Sequence, residues 1–229
     1  MQHKKFLVAT AWLAMIGTAA AAISTAEIKR LQNAVSVVRA LRDQPDNGIP
    51  EKLWDRAACA VVIPGLKKAA IGIGGDYGRG VMSCREGTRW SAPVFMQLAK
   101  GSWGLQIGAA EVDLVLLVMN REGTEKLLKN KVSLGADASV AAGPVGRAAA
   151  AGTDIQVTAE ILSYSRARGV FAGIDISGGE LGPDKDSNTD VYGPGVEPQQ
   201  IAFGHVPRPP EAEPLIKELS RQPVGTSGR

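Results

Sequence analysis

The middle of the chain is a succession of short apolar runs, and this pattern most narrows the folds available to it. Between residues 59 and 120 the sequence contains CAVVIP, AAIGIGG, GRGVMSC, WSAPVFMQLA, WGLQIGA and DLVLLVMN, with separators rich in Gly, Lys or Asp. Runs of this length and spacing are typical of β-strands. DLVLLVM is apolar on both faces, so we predict a central strand that is covered on both sides.

Helical patterns are fewer. The segment from Ser24 to Asp43 carries apolar side chains along one side, and Ser24 with Glu27 forms a capping-box pattern. Pro50 opens a second short helix. Because strands and helices do not alternate regularly, we predict an α+β domain with a curved, mostly antiparallel β-sheet, or a barrel-like sheet, and flanking helices. The N-terminal amphipathic helix could lie on the domain core or on a membrane surface.

The stretch IGIGGDYGRG at residues 71–80 has the glycine content of a phosphate-binding loop. A dinucleotide fingerprint needs a third glycine where this chain has Tyr77, and a helix where it has a strand pattern. Glycines at alternate positions instead remove the side chains from one face of a strand, which allows bending and close backbone approach. We therefore predict a tightly curved hairpin, with GGDYG as its turn.

The sequence lacks the side chains that most hydrolytic sites need. Its only histidines are His3 and His205, and no G-x-S-x-G motif occurs. Glu111, Asp113 and Glu160 could still serve an enzyme that works with carboxylates alone. We predict no enzymatic activity, no catalytic residue, no metal and no cofactor.

The motif DKDSNTD resembles the start of a calcium-binding loop. Asp184, Asp186, Asn188 and Asp190 match its first ligands, but Thr189 and Gly195 occupy the positions that require Gly and Glu. A polar, solvated turn is the better interpretation.

Residues 1–22 have the pattern of a signal peptide. Lys4 and Lys5 precede an apolar core that is too short to span a bilayer, and small residues near Ala20–Ala22 offer a cleavage site. We expect an exported protein that is periplasmic or peripherally membrane-associated. Residues 23–205 are predicted to form a single domain, and residues 206–229 a Pro-rich flexible tail.

The net charge is small. It is +3 for the whole chain, and the predicted signal peptide carries two Lys and no acid, which leaves +1. Such a balance gives no reason to expect nucleic acid as a partner.

Two cysteines, Cys59 and Cys84, fall in separate strand-like runs. An oxidising compartment permits a disulfide between them. The bridge requires the two strands to be direct neighbours, because the Cα atoms must lie within about 7 Å. Two buried thiols are the alternative, and the sequence leaves both open.

Basic side chains near the glycine-rich stretch are candidates for contact with an anionic headgroup. Lys67 and Lys68 are expected in a turn between two strands. Arg79 and Arg85 are an even number of residues apart on one strand, so their side chains should leave the same face. Cations near an anionic membrane surface contribute about 1 kcal/mol each. Ordinary solvated surface is the alternative for each of them.

Taken in order, several motifs resemble the SYLF domain family. They are VIPGLKKAA, GGDYGRGVMSCR, WSAPVF, GSWGLQIG, LGADASVAAGPVGR and YSRARGVFAG, within about residues 45–203. The resemblance implies non-catalytic lipid binding, chiefly to anionic headgroups, and actin binding in some eukaryotic members. Because this chain has a predicted secretory leader and no Src-homology appendage, we do not expect actin to be its partner.

The expected function is therefore binding of anionic membrane phospholipid at the cell envelope through a basic and apolar surface. The candidate contacts are Lys67, Lys68, Arg79 and Arg85. The alternative is a structural envelope module that binds a protein partner.

Overall fold

A computed structural model describes residues 23–44, 48–71, 73–103, 108–145, 159–167, 170–171, 174–204 and 206–221. The predicted signal peptide, His205 and the chain after residue 221 lie outside these ranges. The helices are α1 (Thr25–Arg42), α2 (Glu51–Arg56), α3 (Arg121–Lys129), α4 (Lys185–Tyr192), α5 (Pro198–Ala202) and α6 (Glu213–Ser220), with a 3₁₀ turn at Pro210–Ala212. The strands are β1 (Cys59–Ile71), β2 (Ile73–Glu86), β3 (Arg89–Trp90), β4 (Val94–Trp103), β5 (Gly108–Val118), β6 (Val132–Ser133), β7 (Val140–Ala142), β8 (Ile161–Ala167), β9 (Val170–Phe171) and β10 (Glu180–Pro183).

The strands form one curled sheet in the order β6-β10-β4-β2-β1-β5-β8-β7, with β3 beside β2 and β9 beside β8. The long central pairs, β1 with β2, β1 with β5 and β2 with β4, are antiparallel. Among the described strands only β7 and β8 pair in parallel. The prediction of an α+β fold with a curved, mostly antiparallel sheet is confirmed.

Each face of the sheet carries its own hydrophobic core. On the α1 face, Leu31 of α1, Trp54 of α2 and Leu215 of α6 pack on the sheet. On the opposite α3 face, Leu127 of α3 and Ile201 of α5 do the same. The central strand β5 alternates between the two cores, and its side chains from Leu114 to Val118 are all buried. This confirms the prediction that DLVLLVM is covered on both sides.

Helix α1 lies on the domain core. Ser24 caps it, because its Oγ accepts a hydrogen bond from the Ala26 backbone N–H and also contacts the Glu27 carboxylate. Leu31, Ala34, Val37, Val38 and Leu41 are buried along one side. Of the two placements that the sequence left open, the structure has the apolar side of α1 against the sheet.

The predicted position of the hairpin turn is wrong. Strand β1 continues to Ile71 and β2 begins at Ile73, so GGDYG lies inside β2. The predicted close approach of backbones is present further along β2. A Cβ atom on Gly78 would lie 2.5 Å from Ile63 Cγ2, and one on Gly80 only 2.1 Å from the Val62 carbonyl oxygen. The missing side chains therefore let β2 pack against β1.

The segment DKDSNTD begins a helix that is buried on one side, at Asp184, Ser187 and Asn188, and is not the solvated turn that was predicted. Asp184 is the N-cap of α4, and its carboxylate accepts a hydrogen bond from the Ser187 backbone N–H. The Asn188 side chain accepts from the Phe95 N–H at 2.9 Å and donates to the Phe95 carbonyl at 2.8 Å. These bonds to β4 hold the helix on the sheet, so tertiary pairing overrides the turn-like composition.

The prediction of a flexible tail is wrong for the part of it that the structure describes. Helix α6 buries Leu215, Ile216 and Leu219 on the α1 face. The Trp54 indole N–H donates to the Leu219 carbonyl at 3.2 Å. A proline in the first turn, where no backbone donor is needed, favours a helix start here.

Candidate functional site

The two cysteines form a disulfide. Cys59 and Cys84 are register partners on β1 and β2, with Cα atoms 4.0 Å apart. Their strands are therefore direct neighbours, as a disulfide between them requires. Both residues are buried, at 0% and 3% exposure.

Lys67 and Lys68 lie inside β1, not in the predicted turn, and this separates them. Neighbouring side chains of a strand point to opposite faces. Lys68 pairs with Asp76, with Nζ and Oδ2 3.5 Å apart. Lys67 is exposed and is the register partner of Tyr77 on β2. The two lysines therefore do not act on one ligand from one face.

Lys67, Tyr77 and Arg79 form an exposed group that we call the hairpin patch. Arg79 Nε donates a hydrogen bond to the Tyr77 hydroxyl at 2.8 Å. This bond, ahead of the nearby Asp184 carboxylate, raises the pKa of Arg79 above its ordinary value. Tyr77 is 45% exposed, and the Arg79 side chain is 49% exposed. The patch exposes two cations and an amphipathic ring, and the exposed Glu111 of β5 is the register partner of Lys67 on its other side.

Arg85 belongs to the α1 face and is half-buried, with a side chain that is 23% exposed. Its guanidinium lies 4.3 Å from the centroid of the Trp90 ring and donates to the Trp54 carbonyl at 3.2 Å. Burial lowers the pKa of Arg85. Six residues of strand separate it from Arg79 by about 20 Å. The structure thus places Lys67 and Arg79 beside Tyr77, while Lys68 pairs with Asp76 and Arg85 lies at the other end of β2.

Two of the three carboxylates considered for an enzyme, Glu160 and Asp113, hold neighbouring elements together. Glu160 accepts from the Ser139 backbone N–H at 3.0 Å and from Lys126 Nζ at 3.1 Å. The backbone bond is the main cause that lowers the pKa of Glu160. Asp113 accepts from the Gly65 N–H at 3.1 Å and from Arg166 at 2.7 Å. Over the described residues, no three His, Cys, Asp or Glu side chains are grouped so that they could hold a metal ion.

A buried ionic cluster, which we call the Asp184 cluster, ties α1 to α4. Arg30 Nη1 lies 3.1 Å from Asp184 Oδ2, and Arg30 Nη2 donates to the Ser187 hydroxyl at 3.2 Å. That hydroxyl donates to Glu27 at 3.1 Å. Arg79 Nε approaches Asp184 to 3.6 Å from the hairpin patch. Asp184 Oδ2 therefore lies within 3.6 Å of two guanidinium groups, those of Arg30 and Arg79.

Next to this cluster is an open groove of about 580 Å³, which we call the α3–α4 groove. Its lining includes Lys129 from the last turn of α3, Lys131 before β6, Lys185 at the start of α4, and Arg79. Sequence reasoning missed this site because its lysines come from segments that only the fold brings together. Their separate occurrence in LKNKV and PDKDS gives no signal of a shared site.

None of the helices in the described ranges combines the length and apolarity that crossing a bilayer would demand.

The chain is similar in sequence to a known family and to several of its members. The family model Ysc84, described as "Las17-binding protein actin regulator", matches residues 99–222. SH3 domain-containing YSC84-like protein 1 of Xenopus laevis is 32% identical over 181 residues, which are 78% of this chain and 54% of that protein. Protein YSC84 of Saccharomyces cerevisiae is 31% identical over 179 residues, 76% of this chain and 38% of that protein.

LAS seventeen-binding protein 3 of Saccharomyces cerevisiae is 30% identical over 179 residues, 76% of this chain and 39% of that protein. The chain thus spans between 38% and 54% of the length of these relatives. The matched family is one of binding and regulatory domains, not of enzymes. This chain belongs to that family, the Ysc84 or SYLF family, as the motif resemblance predicted.

Proposed function

We propose that this domain binds anionic phospholipid at a cell-envelope membrane and catalyses no reaction. The observation that carries the proposal is the hairpin patch, in which Lys67 and Arg79 flank the exposed ring of Tyr77. A tyrosine with an apolar ring and a polar tip suits the membrane interface. Each cation adds about 1 kcal/mol near an anionic surface.

Two further features support an envelope location. The predicted signal peptide implies export, and the Cys59–Cys84 disulfide is typical of proteins that fold in an oxidising compartment. The apolar side of α1 is occupied by the core, so in this conformation the hairpin patch, not α1, makes the contact. The proposed protein is therefore peripheral, held by surface charge and an interfacial aromatic ring.

Vesicle co-sedimentation tests the proposal. We expect binding to phosphatidylglycerol vesicles, little binding to phosphatidylcholine vesicles, and weakening by salt, because salt screens exposed charges. Lys67→Glu should weaken binding about tenfold, since it replaces a favourable charge with a repulsive one. Tyr77→Ser should weaken it at every salt concentration, because it removes the apolar ring.

Lys217→Glu is the matched control, since Lys217 is an exposed lysine on α6, away from the patch. Equal binding to both vesicle types would overturn the proposal. So would equal losses in Lys67→Glu and Lys217→Glu, because the effect would then come from net charge and not from the patch.

A protein partner is the second candidate function, and the family membership favours it. The family is described as a Las17-binding protein actin regulator. Co-sedimentation with filamentous actin is the direct test. We expect no pelleting above that of an albumin control, and saturable pelleting would instead favour this second function. Point variants are preferable to deletion of residues 206–229, because that deletion removes α6 from the core.

A further inference from the structure

We propose that the α3–α4 groove binds a phosphate-bearing anion, either free in solution or as the headgroup of a phospholipid. The phospholipid form rests on the proposed function, whereas the anion site itself does not. Arg79 lines the groove and also belongs to the hairpin patch, so the two surfaces are continuous. A headgroup could therefore enter the groove while Tyr77 contacts the interface.

The charges of the groove favour an anion. Lys129, Lys131 and Lys185 are exposed, and no other described residue forms an ion pair with any of them. The buried carboxylate in the wall, Asp184, is paired with Arg30 at 3.1 Å and with Arg79 at 3.6 Å. The remaining carboxylates of the lining, Asp186 and Glu197, are exposed and outnumbered by the cations.

Lys185 stands at a position that its own helix does not favour. It is the first residue of α4, where the N-terminal end of the helix dipole repels a cation. The N-cap Asp184 and the first-turn Asp186 already complement this end of the helix, so the Lys185 ammonium group is what α4 would offer to an anion in the groove.

The fold fixes the position of Lys131 and leaves enough space for a ligand. Gly182 of β10 has no side chain, and a Cβ atom there would lie 2.9 Å from Lys131 Cα. The backbone of Lys131 therefore packs directly on β10, beside the buried Pro183. A volume of about 580 Å³ is within the usual range for small-molecule sites.

Titration with inorganic phosphate, followed by ¹H–¹⁵N NMR at constant ionic strength, tests the groove. We expect amide shifts to concentrate at residues 129–131 and 185–189. The double variant Lys131→Gln/Lys185→Gln should bind phosphate about tenfold more weakly, because it loses two nearby cations. The control Lys29→Gln/Lys217→Gln removes two exposed lysines elsewhere and should bind like the parent protein.

Urea unfolding of both double variants checks that they remain folded. Shifts that are scattered over the surface, or that are equally large in the groove variant and the control, would overturn the proposal. So would the absence of any saturable shift in the parent protein.

Phosphatidylglycerol vesicles then distinguish the two sources of phosphate. If the groove variant loses vesicle binding and the control does not, the headgroup is the ligand. If it loses only phosphate binding, the ligand is a free anion and the hairpin patch alone contacts the membrane. If phosphate binds the groove but no vesicle binds the protein, the proposed function fails and the groove site stands.

Discussion

Gly80 lies where β2 comes closest to the backbone of β1. A methyl group at this position would meet the Val62 carbonyl oxygen at 2.1 Å and Ile63 Cα at 2.9 Å. Both contacts involve backbone atoms of a central strand, which cannot move aside without disturbing its pairing. We expect Gly80→Ala to lower the free energy of unfolding by about 3 kcal/mol, measured by urea denaturation.

Gly101→Ala is the control for this prediction. Gly101 lies on the neighbouring strand β4, and no heavy atom would approach an added methyl group within 4 Å. Its replacement should change the free energy of unfolding by less than about 1 kcal/mol. Similar losses in both variants would show that steric contact with β1 is not the cause.

Glu160 gives the stability of the domain a defined dependence on pH. The bond from the Ser139 N–H is the main cause that holds the pKa of Glu160 below its ordinary value of 4.5. The ionised Glu160 carboxylate therefore stabilises the fold at pH values above its ordinary pKa. This stabilisation disappears as the pH falls through the lowered pKa of the folded state. We expect Glu160→Gln to be less stable than the parent at neutral pH, with a difference that shrinks in acid.

Thermal unfolding at a series of pH values measures this difference. Glu111→Gln provides the comparison, because Glu111 is an exposed carboxylate with no ion-pair partner among the described residues. A Glu160→Gln difference that stayed constant from neutral to acid pH would contradict the assignment to the ionised form.

At the scale of the element, α1 is held by the Asp184 cluster as well as by its apolar side. The Arg30 and Asp184 side chains are only 7% and 4% exposed. Removing Arg30 takes the ion pair from the buried Glu27 carboxylate and leaves Asp184 with only the more distant Arg79, and a buried charge that loses its partner is costly. We expect Arg30→Met to lower the free energy of unfolding by about 3 kcal/mol, measured by urea denaturation.

Two further variants show whether charge is responsible. Arg39→Met removes an α1 arginine whose side chain is 60% exposed, and should cost less than about 1 kcal/mol. Arg30→Met/Asp184→Asn should recover part of the loss, because the amide carries no charge. No recovery in the double variant would indicate lost packing instead.

Elements with a strong local pattern were predictable from sequence. Helix α1 has both a cap and a continuous apolar side, and β5 has an unbroken apolar run. GGDYG and DKDSNTD were misassigned, since their local composition favours turns. Pairing of β2 with β1 and β4, and the bonds from Asn188 to Phe95, override that preference.

Part of the candidate site was also predictable from sequence. Lys67 and Arg79 were identified by their charge, and the fold does place them on one face. Lys67 and Lys68 were predicted to lie in a turn, but they lie in a strand. Because side chains alternate along a strand, the two lysines point to opposite faces. The α3–α4 groove depends on contacts between distant segments, which no local pattern encodes.

At the scale of the whole molecule, the C-terminal segment completes the core on the α1 face. Leu219 is 2% exposed, and the neighbouring Arg39 binds Glu218 at 3.2 Å. We expect Leu219→Ala to lower the free energy of unfolding by about 3 kcal/mol through the cavity that it leaves. Lys217→Ala, on the exposed side of α6, should have little effect.

Urea denaturation measures both variants, and limited proteolysis locates the change. We expect the segment after residue 206 to be cleaved faster in Leu219→Ala than in Lys217→Ala. Equal resistance of the two variants would mean that α6 contributes little to the integrity of the domain.

The redox state of the two buried cysteines should depend on the compartment in which the chain folds. Cys59 and Cys84 are 0% and 3% exposed, so neither sulfur can meet an oxidant or an alkylating reagent once the sheet is complete. Chains that fold in a reducing cytosol should keep both thiols through purification in air, and chains folded after export should carry the bridge. Intact-mass analysis after alkylation in denaturant distinguishes the reduced protein from the bridged one. Rapid oxidation of the folded, reduced protein would contradict the prediction.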